Sequence, residues 1–175
     1  MRAFWIRLAL PAGLLLAWHG LPGQRPSAAG YVLAANEGET LLRPTSKVII
    51  KADPRTGSPA LAMGTQELYP GAGIPLHKHD QSDEVLFLHQ GSAVAVLGDR
   101  RTPVSAGATV FIPRGAWHGV ESTGQAAQLV WIVSPPGLES FFREAGAPPG
   151  RPLKQLTPAQ MEEIGRKHGT TFRRQ

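Results

Sequence analysis

Between residues 47 and 134 the chain is cut into short apolar and β-branched runs, each closed by a turn signal, and this punctuation excludes most architectures. The runs are 47–51 (KVIIK), 61–69, 84–89 (EVLFLH), 92–97 (SAVAVL), 109–112 and 128–134 (QLVWIVS). Between them stand Asp53-Pro54, Pro70-Gly71, Gln90-Gly91, Gly98-Asp99 and Pro113-Arg114-Gly115. Proline cannot donate to a sheet ladder and glycine supplies the backbone conformations that tight turns need. A spacing of roughly ten residues per strand predicts a barrel or sandwich. No helix-period segment precedes residue 138, and the 20 glycines and 16 prolines follow no repeat. The expected fold class is therefore all-β.

Two short helices are expected to close the chain. Residues 138–145 follow Pro135-Pro136-Gly137 and stop at Gly146. The second has Thr157 as N-cap, Pro158 in the first turn and Gln160 placed to complete a capping box, with Gly169 ending it near His168. Met161 and Ile164 would pack it on the barrel or on a second subunit.

The N-terminal residues 1–29 read as a secretory signal peptide. Arg2 and Arg7 give a positive start, residues 8–17 (LALPAGLLLA) an apolar run, and Ser27-Ala28-Ala29 small residues before Gly30. A permanent membrane span needs roughly 20 apolar residues, about twice this run. The expectation is a secreted or periplasmic protein with no stable membrane span once the signal is removed. Residues 30–43 would be a flexible leader, 44–134 the β-barrel and 135–175 a C-terminal helical extension.

The formal net charge is +5, but Arg2, Arg7 and Arg25 precede Gly30 without any acid, leaving fifteen basic residues against thirteen acidic ones beyond it. Arg166, Lys167, Arg173 and Arg174 form a basic tail without interleaved aromatics, so no nucleic-acid partner is expected. The absence of cysteine excludes disulfides, zinc ribbons, thiol catalysis and lipoprotein acylation.

Three of the six histidines fall into one pattern with a glutamate. His77 and His79 are two apart, so on a strand their rings leave the same face. A hairpin between Asp80 and Asp83 would bring Glu84 beside them. Along that run Glu84, Leu86 and Leu88 share one face and Val85, Phe87 and His89 the other, which turns His89 away. His118 follows the turn Pro113-Arg114-Gly115. Neutral imidazoles with a carboxylate suit Fe, Mn, Ni, Cu or Zn in the divalent state, and spacing does not choose among them.

The glycines around these residues make the pattern specific. Gly71, His77, His79, Glu84 and Gly91 fit every position and gap of the first motif of the cupin superfamily, which the chain resembles. Gly107, Pro113, Gly115 and His118 fit the second, with Ser122 where an asparagine is usual. The fifteen residues between the motifs match the shortest, microbial type, and the wider chain is similar to small bacterial cupins likened to quercetin dioxygenases. The resemblance implies a single jelly-roll-type cupin β-barrel and one divalent transition metal held by His77, His79, Glu84 and His118.

An oxygenase reading follows from that resemblance: a divalent-metal-dependent dioxygenase or related oxidoreductase acting on a small-molecule substrate, with Glu84 as ligand or catalytic base. Leu86, Leu88, Val94 and Val96 or their alternates would line an apolar pocket, Trp117 would wall its entrance, and Phe111 would lie in the core. A non-catalytic metal or small-molecule binding cupin is the alternative of another class, and a cupin isomerase or epimerase a third. Lys78, between the two histidines, would face outward, and Arg114 would sit in the motif turn. The apolar strand face of Val85, Phe87 and His89 suggests a homodimer.

Overall fold

The computed structural model describes residues 29–173, so the expected export signal lies outside the described residues but for its last position. The strands are β1 (Glu39–Arg43), β2 (Ser46–Ala52), β3 (Ala62–Leu68), β4 (Ile74–His79), β5 (Asp83–Gln90), β6 (Ser92–Leu97), β7 (Arg100–Ser105), β8 (Thr109–Ile112), β9 (His118–Ser122), β10 (Ala127–Ser134) and β11 (Thr170–Phe172). Helices α1 (Leu138–Ala145) and α2 (Pro158–Lys167) lie between β10 and β11. One sheet has the order β1-β2-β3-β10-β5-β8 and the other β11-β4-β9-β6-β7. The two ladders are separate, so the expected barrel is a jelly-roll sandwich of two facing sheets and not a closed ring.

Period-two patterning builds the core. Ala127, Leu129, Trp131 and Val133 of β10 are buried in alternation, as are Glu84, Leu86 and Leu88 of β5. On β6 the alternates of the expected pair face inward: Ala93 and Leu97 join the core cluster, and Val94 does not. Phe111, expected in the core, is 61% exposed. It pairs with Val85 on the outer face of β5, because the inward positions of β8 are Val110 and Ile112.

Gly71, Gly91 and Gly107 adopt φ of 78°, 83° and 93°, the left-handed region their turns require. Gly64, in the middle of β3, has another reason: a Cβ there would collide with the carbonyl oxygen of Ile49 and the ring of Trp131. That absence lets β2, β3 and the largest core side chain close up.

Five strands lie outside the six apolar runs, β4 (IPLHKH) among them, marked only by its two histidines. Residues 39–43, read as part of a loose leader, form β1 and pair with β2 from Glu39↔Ile50 to Arg43↔Ser46. β7 (RRTPVS) is polar and carries Pro103, which its place at the sheet edge permits. β9 is short and begins with His118. β11 returns from the helices to pair with β4, setting Thr170 opposite His79 and Phe172 opposite His77. The C-terminal extension is thus helical only in part.

Both helices pack on the sandwich of their own chain. Leu138, Phe141, Phe142 and Ala145 are the buried apolar face of α1, and Ile164 is the buried apolar residue of α2. The Thr157–Gln160 capping box forms as expected, with Gln160 N–H donating to Thr157 Oγ1 (3.3 Å) and Thr157 N–H to Gln160 Oε1 (2.9 Å). After α1, Leu42 and Ala147 exchange backbone hydrogen bonds of 2.8 and 3.0 Å, tying the helix exit to β1.

Candidate metal centre

The site draws on both sheets. His77 and His79 lie on β4, and antiparallel pairing with β9 sets His118 opposite His77, with ring centroids 4.1 Å apart. Glu84 comes from β5 in the facing sheet, so residues 80–82 cross between sheets and do not form the expected hairpin. One ligand atom from each of these four buried side chains lies within 4.8 Å of all the others. The sequence-predicted ligand set is brought together entire.

Outer partners orient each ring. His77 Nδ1–H donates to the Pro75 carbonyl (2.8 Å) and His118 Nδ1–H to the Ala116 carbonyl (2.9 Å). His79 Nδ1 meets Thr170 Oγ1 at 3.1 Å. Such bonds fix the tautomer and turn the other nitrogen toward a metal. His79 Nε2 lies 3.1 Å from Glu84 Oε2, and His118 Nε2 lies 2.9 Å from the same oxygen. The latter approach lacks hydrogen-bond geometry, and His118 Nε2 is a buried polar atom without a partner.

The turn before His118 is tied to both ligand strands. Gly115 N–H donates to the His79 carbonyl (2.7 Å), while Arg114 donates from its backbone N–H and Nε to Asp83 Oδ1 and from Nη2 to Oδ2. This exposed pair holds Asp83 below its usual carboxylate range and Arg114 above its ordinary value. Its role is positional, since surface pairs contribute little to stability. Ser122, at the usual asparagine position, accepts from Gly124 N–H through its hydroxyl (2.9 Å), so a turn contact there survives.

Burial, reinforced by the neighbouring rings of His118 and His79, pushes His77 down to about 3 and keeps it neutral. For Glu84 burial acts upward, but the hydrogen bond to His79 and the closeness of the imidazole rings outweigh it, and the carboxyl stays ionised. The centre therefore presents lone pairs facing a carboxylate. With Nδ1 carrying the His118 proton, Nε2 and Glu84 Oε2 turn acceptor toward acceptor at 2.9 Å, which a cation between them would relieve. The donor set fits a divalent transition metal.

The centre opens into a cavity of about 210 Å³ between the sheets, bordered by His77, Glu84 and His118. Its walls are mainly apolar: Ile74, Leu86, Val120, Trp131, Phe141 and Phe142. Trp117 is not among its lining residues. It lies outside, with Lys78 Nζ and the Arg173 guanidinium 5.7 and 5.8 Å from its ring centroid, so the entrance role expected for it is not met. His89 is exposed on the outer face, and Lys78 pairs with Asp80, as the alternation implies. Sequence reasoning missed Arg43, Gln66, Thr170 and Phe172 as cavity residues. None lies in a motif, and no local signal marks them.

Residues 64–134 match the family model for the cupin domain. The chain is 32% identical over 74 residues to the tetracenomycin polyketide synthase protein TcmJ of Streptomyces glaucescens, covering 42% of this chain and 50% of that protein. It is 26% identical over 107 residues to a gentisate 1,2-dioxygenase of a Ralstonia species, covering 58% of this chain and 30% of the relative. The chain thus spans half or less of these relatives' length. Among solved structures, an RmlC-like cupin from Shewanella frigidimarina superposes with a TM-score of 0.55 at 16% identity, over 62% of this chain and 93% of the other. That likeness shows the fold alone. Family match, fold and ligand set agree: the chain carries a cupin domain.

Proposed function

We propose that this protein is an exported, metal-dependent oxidoreductase of the dioxygenase type, acting on a small organic molecule bound between its sheets. One observation carries the reading: the four-residue centre is buried yet borders an apolar cavity. Structural metal sites are closed, whereas catalytic ones keep a side open to substrate. A divalent transition metal held by His77, His79, Glu84 and His118 would supply Lewis acidity toward a substrate oxygen and, for the redox-active ions, one-electron chemistry with O₂.

The remaining work falls to the chain. Leu86, Val120, Phe141 and Phe142 exclude water and hold an apolar body. Glu84 is the one carboxylate among the cavity-lining residues, and it accepts the proton that a substrate hydroxyl must lose. The gentisate 1,2-dioxygenase relative supports oxygen chemistry. Sugar-phosphate isomerisation is disfavoured: Lys78, Arg101 and Arg114 pair with Asp80, Glu121 and Asp83 away from the cavity, and the one cation that lines it, Arg43, stands among mainly apolar walls that suit no polyhydroxylated sugar. Export rests on the signal-like residues 1–29 alone.

The test is oxygen uptake by metal-loaded protein over a panel of flavonols and small hydroxy acids. Substrate-dependent uptake, reduced at least about 100-fold in Glu84→Gln, is expected for a lost catalytic base. Full metal loading with no uptake across the panel would assign the protein to the binding class instead.

The outer face of the larger sheet supports a homodimer. Val85, Phe87, Phe111, Val130 and Ile132 adjoin there through the β5–β8 and β5–β10 ladders. Phe111→Lys should shift light-scattering mass from dimer to monomer without changing metal content. A wild-type monomer at micromolar concentration would rule the dimer out.

A further inference from the structure

Arg43 ends β1 and lines the same cavity as His77, Glu84 and His118. It is partly buried, and no acidic side chain pairs with it among the contacts of the described residues. Glu39 on its own strand and Asp53 just after β2 are both taken by Arg143. Arg43 instead lies 5.4 and 6.0 Å from the ring centroids of Phe141 and Phe142, and its Nη2 reaches Met161 Sδ at 3.7 Å. A guanidinium carries five N–H donors in a rigid fork, and a thioether is a weak acceptor for one of them. With no carboxylate to raise it, burial alone pushes this group down to about 10. The aromatic contacts hold the fork in place without neutralising it, and buried charges are ordinarily paired.

A second unmet donor belongs to a residue that lines the same cavity. Trp131 is 1% exposed and its indole N–H has no acceptor. Both unmet groups are donors only. Whatever meets Arg43 is therefore an acceptor, and the single positive charge selects a single negative one. The walls around it are Ile74, Leu86, Phe141, Phe142 and Phe172.

We propose that Arg43 anchors the carboxylate of the substrate, making this a site for small monocarboxylic acids with an apolar or aromatic body. The fork geometry of guanidinium matches a carboxylate bidentately. This rests on the reading of the cavity as the substrate site. Because Arg43 lies outside both motifs, it sets substrate class separately from metal binding.

The test measures calorimetric binding of benzoate and of its neutral counterpart benzamide to wild type and Arg43→Met, each metal-loaded and metal-stripped, with metal counted per chain. Methionine keeps an apolar stem against Phe141 and Phe142. Benzoate should bind wild type in both metal states, benzamide at least about tenfold more weakly, and Arg43→Met should lose at least about tenfold in benzoate affinity with metal content unchanged. Equal benzoate binding by variant and wild type overturns the proposal. So does benzoate binding that appears only with metal, which would place the carboxylate on the ion. Should the variant not fold, the stripped wild type decides, since equal affinity for the two probes sinks the anchor. A wild type that takes up no metal defeats the metal reading while leaving the stripped-protein test of Arg43 intact.

Discussion

His118→Ala is expected to lower the protein's affinity for divalent metal by more than about 100-fold, since loss of an outer hydrogen-bond partner alone costs 10- to 100-fold. The side chain is fully buried, its Nδ1 proton is committed to the Ala116 carbonyl, and its Nε2 has no partner but the site. Alanine removes a donor that nothing nearby replaces: the neighbouring β9 residues are Gly119 and Val120. The wild type should carry near one Fe, Mn, Ni, Cu or Zn per chain on elemental analysis and the variant close to none. His77→Ala should behave alike, whereas His89→Ala, on the outer face, should load as wild type. A metal at 100 times its Kd stabilises the folded state by about 2.7 kcal/mol. Chelation should therefore lower the melting temperature of wild type and leave that of His118→Ala where it is. Full occupancy in the variant would overturn the ligand assignment.

The parts of this site that were legible in the sequence are those fixed by short-range rules. His77 and His79 share a face because strands have a period of two, and alternation also turned His89 outward. The motif glycines marked turns that only left-handed backbone can make, and the capping box placed α2 to the residue. Illegible parts are long-range. Local spacing suggested a hairpin for Glu84, but β5 finds its ladder partners in β10 and β8, and the carboxylate arrives from across the sandwich. Thr170 orients His79 from 91 residues away, and Arg43 enters the cavity from a segment that looked like a leader. Apolar character alone would place Phe111 in the core and Trp117 at the pocket entrance. Register and the crossing of charged neighbours over the indole decide otherwise.

The second large effect is on stability, at a residue that touches neither metal ligand nor cavity. Arg143 on α1 donates from Nη2 to Asp53 Oδ2 at 2.5 Å and from Nε and Nη2 to Glu39 Oε2 at 2.7 and 2.5 Å. Asp53 is fully buried where it caps the Pro54–Thr56 turn, and Arg143 is its only cationic partner among the described contacts. Breaking a buried pair by removing one partner costs about 3–5 kcal/mol, because the remaining charge stays buried. Arg143→Met keeps the aliphatic stem and strips the charge. Since the arginine side chain is 14% exposed and Glu39 far more so, the low end applies, about 3 kcal/mol. For a domain of this size that corresponds to roughly a 10 °C fall in melting temperature. Replacing Asp53 by alanine in the same chain should recover part of the loss, the non-additivity expected of a contacting pair. A drop under about 1 kcal/mol would show that water reaches Asp53 and that the pair is not a buried one. Function should separate as well. α1 carries Phe141 and Phe142, the cavity wall on which Arg43 rests, whereas the ligands stand on β4, β5 and β9. Loosening the helix should weaken benzoate binding while metal content stays near one per chain. Equal loss of both would mean that the wall and the centre unfold together and that α1 is part of the metal site's support.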